Sequence, residues 1–154
     1  MNMITIIHAF RDAVHDDSAL SAWCVTNYTY AHGVYVGIDT RKPPAIDRPL
    51  VHVFPISRKD GDGGQVCNIG LSCGIPDDDL LTTTKTRVTE LEGISKLDEF
   101  RDKVKTIIEG VSLSTGEWLG DVETTYEVVE FFPYFMAAMD FAVHYRTRRM
   151  RARI

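Results

Sequence analysis

The feature that most constrains this chain is a strict alternation across residues 65–75. Cys67, Ile69, Leu71, Cys73 and Ile75 fall on one side of an extended segment, and Val66, Asn68, Gly70, Ser72 and Gly74 on the other. A period of two sustained over that length specifies a β-strand with two unlike faces. The apolar face has to be covered by another layer, so the chain must build a sheet with something packed on that side. The small residues opposite leave room for another backbone or subunit to come close.

Helical periodicity supplies the covering layer. Met3, Ile7, Phe10 and Val14 recur at helical spacing, with Ile4, Ile6 and Ala13 widening the stripe. Asp16-Asp17-Ser18 interrupts it, and Ser18 is the expected N-cap of a short second helix carrying Leu20, Trp23 and Cys24. Ser95 and Asp98 have capping-box spacing, which predicts a helix starting there. Its stripe is Leu97, Phe100, Val104, Ile107, Ile108 and Val111, with Gly110 at the stop.

The remaining extended segments complete the sheet. Val34, Val36 and Ile38 alternate, and residues 50–56 are apolar on both faces, as a central strand would be. Val122, Thr124, Tyr126 and Val128 alternate with Glu123, Thr125 and Glu127. Phe135, Ala137, Met139, Phe141, Val143 and Tyr145 follow closely, implying an antiparallel pair. Residues 40–49 contain three prolines and read as a surface loop, 58–64 as a polar turn, and the Thr-rich stretch 80–92 as a strand or extended arm. The sum is an α+β fold: a mainly antiparallel β-sheet with helices packed on one face. At 154 residues it is expected to be a single domain over 1–145, followed by a basic tail, 146–154.

Charge divides along the same boundary. The net charge of −5 averages two different surfaces. Arg146, Arg148, Arg149, Arg151 and Arg153 all lie in the tail, so the other twelve Lys and Arg stand against all 22 Asp and Glu. An acidic body argues against a general nucleic-acid-binding domain, whose positive charge would stripe a folded face. The N-terminus has no basic leader, no apolar stretch reaches a membrane span, and the three cysteines form no disulfide framework. A soluble protein of a reducing cytoplasm is expected.

No catalytic motif is present. His8 and His15 are seven residues apart on a helix, where a metal-binding pair needs four. Cys67 and Cys73 share a strand face but stand about 20 Å apart, too far for one ion. Residues 61–64 are glycine-rich without the Lys-Ser/Thr ending of a phosphate loop, and Asp77-Asp78-Asp79 lacks the alternating ligands of a calcium loop. Glu123 and Glu127 would lie roughly 13 Å apart, outside the range of paired catalytic carboxylates, and read as a solvated acidic face. No metal or cofactor is expected.

Read in order, the chain resembles the tail terminator proteins of long-tailed bacteriophages and prophages. The resembling features are the first helix ending near Asp16-Asp17, the segment 34–38, and the Pro-rich approach to residues 50–54. The helix 93–110 and the closing strand 132–145 complete the likeness. The resemblance implies a non-enzymatic subunit of a homohexameric ring that caps the tail tube at its final length and presents the head-joining surface. It implies as partners the tail tube protein, a head-tail connector or neck protein and, in a sheathed tail, the sheath. DNA would pass through without specific binding. Assembly would take place in the bacterial host cytoplasm. A head-completion or tail-tube subunit is the near alternative, and a small enzyme or ligand-binding domain the distant one. Candidate interface residues are Arg41 and Lys42 from the Pro-rich loop, Arg58, Lys59, Asp60 and Asp62 from the polar turn, and the five tail arginines. If those arginines dock on another copy's acids, truncation after Tyr145 weakens self-assembly, and the deficit depends on salt when followed by sedimentation. Unchanged assembly would return them to a solvated tail.

Overall fold

The computed structural model describes residues 2–37, 47–61, 63–76, 92–127 and 134–146. In chain order the elements are α1 (Met3–His15), α2 (Ser18–Tyr28), β1 (Gly33–Val36), β2 (Leu50–Gly61), β3 (Gly64–Pro76), α3 (Glu92–Glu109), β4 (Glu117–Glu127) and β5 (Tyr134–Tyr145). The five strands form one sheet in the order β1-β2-β3-β5-β4. Every neighbouring pair is antiparallel except β1 and β2, which run parallel. The expected α+β architecture is the one observed.

The strand read from residues 65–75 sits at the middle of the sheet. Val51↔Cys73 and Val53↔Leu71 on one side, and Ile69↔Phe141, Leu71↔Met139 and Cys73↔Ala137 on the other, place three strands' apolar rows on the same face. All of these side chains are buried, in one core with Ile6, Ile7, Phe10 and Val14 of α1, Leu20 and Cys24 of α2, and Leu97, Phe100, Val104 and Ile108 of α3. Phe10 meets Phe141 edge-on at 5.0 Å between ring centroids, and Trp23 stacks on Phe100 at 5.7 Å. The first contact joins helix layer to sheet and the second joins α2 to α3, each adding to area burial. Among the described residues no helix is long and apolar enough to cross a membrane.

Several local details differ from the sequence expectation. Asp17, not Ser18, caps α2: its carboxylate accepts from the Leu20 amide at 2.7 Å, so the charged acceptor one residue earlier takes the cap. Ile4, expected to widen the stripe of α1, is 52% exposed. The third helix begins at Glu92 rather than at Ser95, and Asp98 is used elsewhere, accepting from Arg101 and from the Tyr126 hydroxyl on β4. The polar turn expected over 58–64 is mostly strand. Pairing continues through Arg58↔Cys67, Lys59↔Val66, Asp60↔Gln65 and Gly61↔Gly64, because antiparallel backbone pairing needs no apolar side chains to propagate. β4 also starts earlier than its clear alternation, and its register shifts between Leu119 and Val122. The proline-rich stretch 40–46, Ile38, the segment 77–91 and Val128 lie outside the described residues.

Phe100 is fully buried between α2 and the sheet, so Phe100→Ala should cost about 3–5 kcal/mol in urea unfolding. Ile94→Ala, on an exposed position of the same helix, should stay within about 0.5 kcal/mol.

Candidate functional site

Helices cover one face of the sheet, which leaves the other as the surface where function has to be sought. Strand parity sets what it displays. Cross-strand partners place Tyr35, His52, Ser72, Ala138 and Thr125 in one row and Phe54, Gly70, Asp140 and Glu123 in the next. Further toward the β2–β3 turn come Ser57, Asn68 and Ala142, then Lys59, Val66, His144 and Trp118.

The small residues of β3 are not open space on this face. A Cβ at Gly70 would collide with the Phe54 ring, and one at Gly74 would lie 2.7 Å from Met136 Sδ. Side chains of β2 and β5 thus fold over the glycines and fill the room that the sequence had suggested for a neighbouring backbone. This packing also explains His52, which is 4% exposed on a face that none of the described helices covers and touches Tyr35 edge-on at 5.4 Å. Burial pulls its pKa below the ordinary imidazole value.

Away from the glycines the face divides by charge. At the turn end, Trp118 is 49% exposed and stacks on His144 with centroids 5.3 Å apart. A hollow of about 520 Å³ there is lined by Lys59, Gly64, Val66, Trp118, His144 and Arg146. Midway, a hollow of about 350 Å³ is lined by Ile56, Asn68, Asp121, Glu123, Asp140 and Ala142. Glu123 and Asp140 are direct cross-strand partners, a like-charge placement that disfavours the sheet. Asp121 lies in the irregular stretch of β4 where the register shifts. Among the described residues, none of these three carboxylates forms an ion pair or a side-chain hydrogen bond. Ile56, in the register irregularity of β2, is 51% exposed beside them.

The charged residues singled out from sequence meet different fates. Arg58 donates to both oxygens of Asp60 at 3.1 Å, so these two neutralise each other within the hairpin. Lys59, between them in sequence, is on the opposite side and joins the Trp118 hollow. Arg146 lines that hollow as well, and its amide donates to the Gly116 carbonyl at 3.3 Å. Arg41, Lys42, Asp62, Arg148, Arg149, Arg151 and Arg153 lie outside the described residues. Sequence reasoning missed Trp118, His144 and Asp140. The signal for Asp140 was available, since it is the one acid in the alternating segment 134–145 and has outward parity.

The helix-covered side holds structural chemistry. Asp98 takes hydrogen bonds from Tyr126 and Arg101, first the tyrosine, and its pKa falls below the usual carboxylate range. This ties α3 to β4. Trp23 Nε1 donates to Glu99 at 2.7 Å and ties α2 to α3. Cys24, Cys67 and Cys73 are buried free thiols, and burial pushes Cys24 up to about 12, far from a reactive thiolate. Among the described residues no group of three or more His, Cys, Asp or Glu is placed to hold a metal ion.

No protein-family model and no curated protein matches the chain. Among solved structures it is similar to a chain from the virion of a native gene transfer agent particle, at 16% identity and a TM-score of 0.52. The likeness covers 92% of this chain and 94% of that one. It is a likeness of fold, carried over nearly the whole of both chains.

The buried histidines give a pH signature. His32, whose Nε2 lies 2.8 Å from the Val14 carbonyl, and His52 both have pKa values lowered by burial. Below about pH 6.5 the unfolded chain binds more protons at these sites, so stability rises with pH through that window. Thermal melting should therefore fall between pH 7 and 5, and His52→Gln should shrink the fall. An identical fall in that variant would contradict the assignment.

Proposed function

We propose that this chain is the tail terminator of a long-tailed, phage-like particle, a structural protein acting through assembly. The observation that carries the reading is the near full-length likeness of fold to a chain of a gene transfer agent virion. The order of sequence elements resembling the terminator family supports it independently.

The structure is compatible with the mechanics this role demands. A subunit of a ring needs one face sealed to keep it folded alone and another free for neighbours. Here α1, α2 and α3 seal one side of the sheet, and the other carries exposed Ile56 and Trp118 between patches of unlike charge. Unlike patches on one surface favour head-to-tail contact between copies, which closes into a ring when the rotation per subunit allows. An acidic body repels phosphate, which suits a ring through which DNA moves without being held. In this reading six copies cap the finished tube, meet the tube protein on one side and the neck on the other, and reside in the virion tail. Residues 1–145 act as one folded unit in this reading.

Native mass spectrometry and negative-stain imaging test this directly. Hexameric rings at moderate concentration, and capping of purified tail tubes, are expected. A strictly monomeric protein that leaves tube ends bare would overturn the terminator role. Stacking into long tubes instead of single rings would favour a tail-tube subunit.

A further inference from the structure

We propose that the hollow beside Trp118 binds the phosphate-bearing end of a single nucleic-acid strand, with one base against the Trp118–His144 pair and its terminal phosphate between Lys59 and Arg146. The site goes beyond the ring reading and stands without it, because every group in it belongs to one chain. One nucleotide held at such a place is compatible with an acidic body that repels the rest of the polymer.

Charge supplies the first observation. Lys59 and Arg146 both line this hollow, and among the described residues neither has a carboxylate partner. Every other described lysine and arginine, from Arg11 to Lys105, lies within 3.7 Å of a carboxylate oxygen. In a chain of net charge −5, the two described cations left over converge on one place. Such a pair is complementary to an anion.

The second observation is the aromatic wall. Lys59, Val66, His144 and Trp118 form one cross-strand row. Lys59 and His144 thus stand on either side of Val66, roughly 10 Å apart at the backbone. The Trp118 and His144 rings are within 13° of parallel, and Trp118 is half exposed. Two glycines fix these walls. A Cβ at Gly120 would lie 3.1 Å from His144 Nε2, so the irregular stretch of β4 packs directly on that ring. A Cβ at Gly64 would collide with the Tyr145 carbonyl, so a bare backbone lets the hairpin close on the end of β5, beside Arg146. Flat ring faces stack nucleobases whatever their sequence, and flanking cations take the phosphate. An acidic peptide would use the cations and leave the flat rings without a matching surface.

The neighbouring hollow restricts which part of a strand fits. Asp140 precedes His144 by four residues, roughly 13 Å along β5, and Asp121 and Glu123 line the same hollow as Asp140. A strand continuing that way would carry its next phosphates over three carboxylates. It has to leave past Arg146 instead, so the nucleotide held is a terminal one.

A short oligo-dT strand with a 5′-phosphate, added to the full chain, tests the site. Arg148, Arg149, Arg151 and Arg153 attract any polyanion by charge alone, so the readouts are those that the tail does not move. The phosphorylated strand should quench Trp118 fluorescence, read in a Trp23→Phe background, and bind at least fivefold tighter than the same strand ending in hydroxyls. Circular single-stranded DNA should not compete for the quench. By anisotropy of a strand labelled at its far end, Lys59→Gln and Arg146→Gln should each lower the salt slope by about 0.7. Trp118→Leu should weaken binding at least fivefold and Trp118→Phe should restore most of it. All four variants should melt with the parent, which separates loss of contact from loss of fold. Equal affinity for phosphorylated and hydroxyl ends, full competition by circular DNA, or unchanged binding in Lys59→Gln and Trp118→Leu would each overturn the site. So would an acidic peptide or free thymidine monophosphate that displaces the strand at equal concentration, the first marking a protein partner and the second a free nucleotide. A monomeric chain that gives the expected results keeps the site and loses the ring.

Discussion

Everything in this structure depends on the pairing of β3 with a long strand on each side. β2 runs beside it from Leu50↔Gly74 to Gly61↔Gly64, and β5 from Gln65↔Tyr145 to Pro76↔Tyr134. Register in such a sheet is all or nothing, because a slip of one residue turns every side chain to the opposite face. With Cys67, Ile69, Leu71, Cys73 and Ile75 held inward, the neighbouring rows follow, and the helices have a single apolar surface on which to land. The same constraint decides what is left outside: His52, Phe54, Asp140, Glu123, Trp118 and Lys59 share the other face as a consequence of parity alone.

The two faces illustrate different ways of handling polar groups. On the covered side, Asp98, Arg101 and Tyr126 satisfy one another and hold the last helix against β4. On the uncovered side, Glu123 and Asp140 stand opposed with no cation among the described residues to relieve them. A sheet that tolerates such a pair does so on strength drawn from elsewhere, here the buried rows of three central strands. The cost is localised on the face that the described helices leave uncovered.

Much of the fold was legible because period signals are strong when one face is buried and the other is not. The inward rows of β3 and β5, the stripes of α1 and α3 and the outward parity of Glu123 all follow from spacing. The strand ends did not, since Arg58, Lys59 and Asp60 extend a hairpin that their polarity disguised as a turn. The parallel pairing of β1 with β2 also left no trace, because four residues carry too little pattern to fix a partner. The glycines of β3 were read correctly as sites of close approach, but the approaching groups are Phe54 and Met136 of the same chain. Cross-strand neighbours are invisible until register is known, and for that reason the Trp118–His144 stack and the opposed carboxylates emerged only from the structure.

The outer strands carry a further consequence. β1, at one border of the described sheet, is only four residues long, and β4, at the other, is interrupted by its register shift and studded with Glu117, Asp121 and Glu123. A short border offers little to hydrogen-bond, and a kinked, acidic one repels its own likeness laid alongside. Ribbon-like growth by adding sheet to sheet is thereby discouraged in both directions. What is left for contact is the broad uncovered surface, and neither border of the sheet.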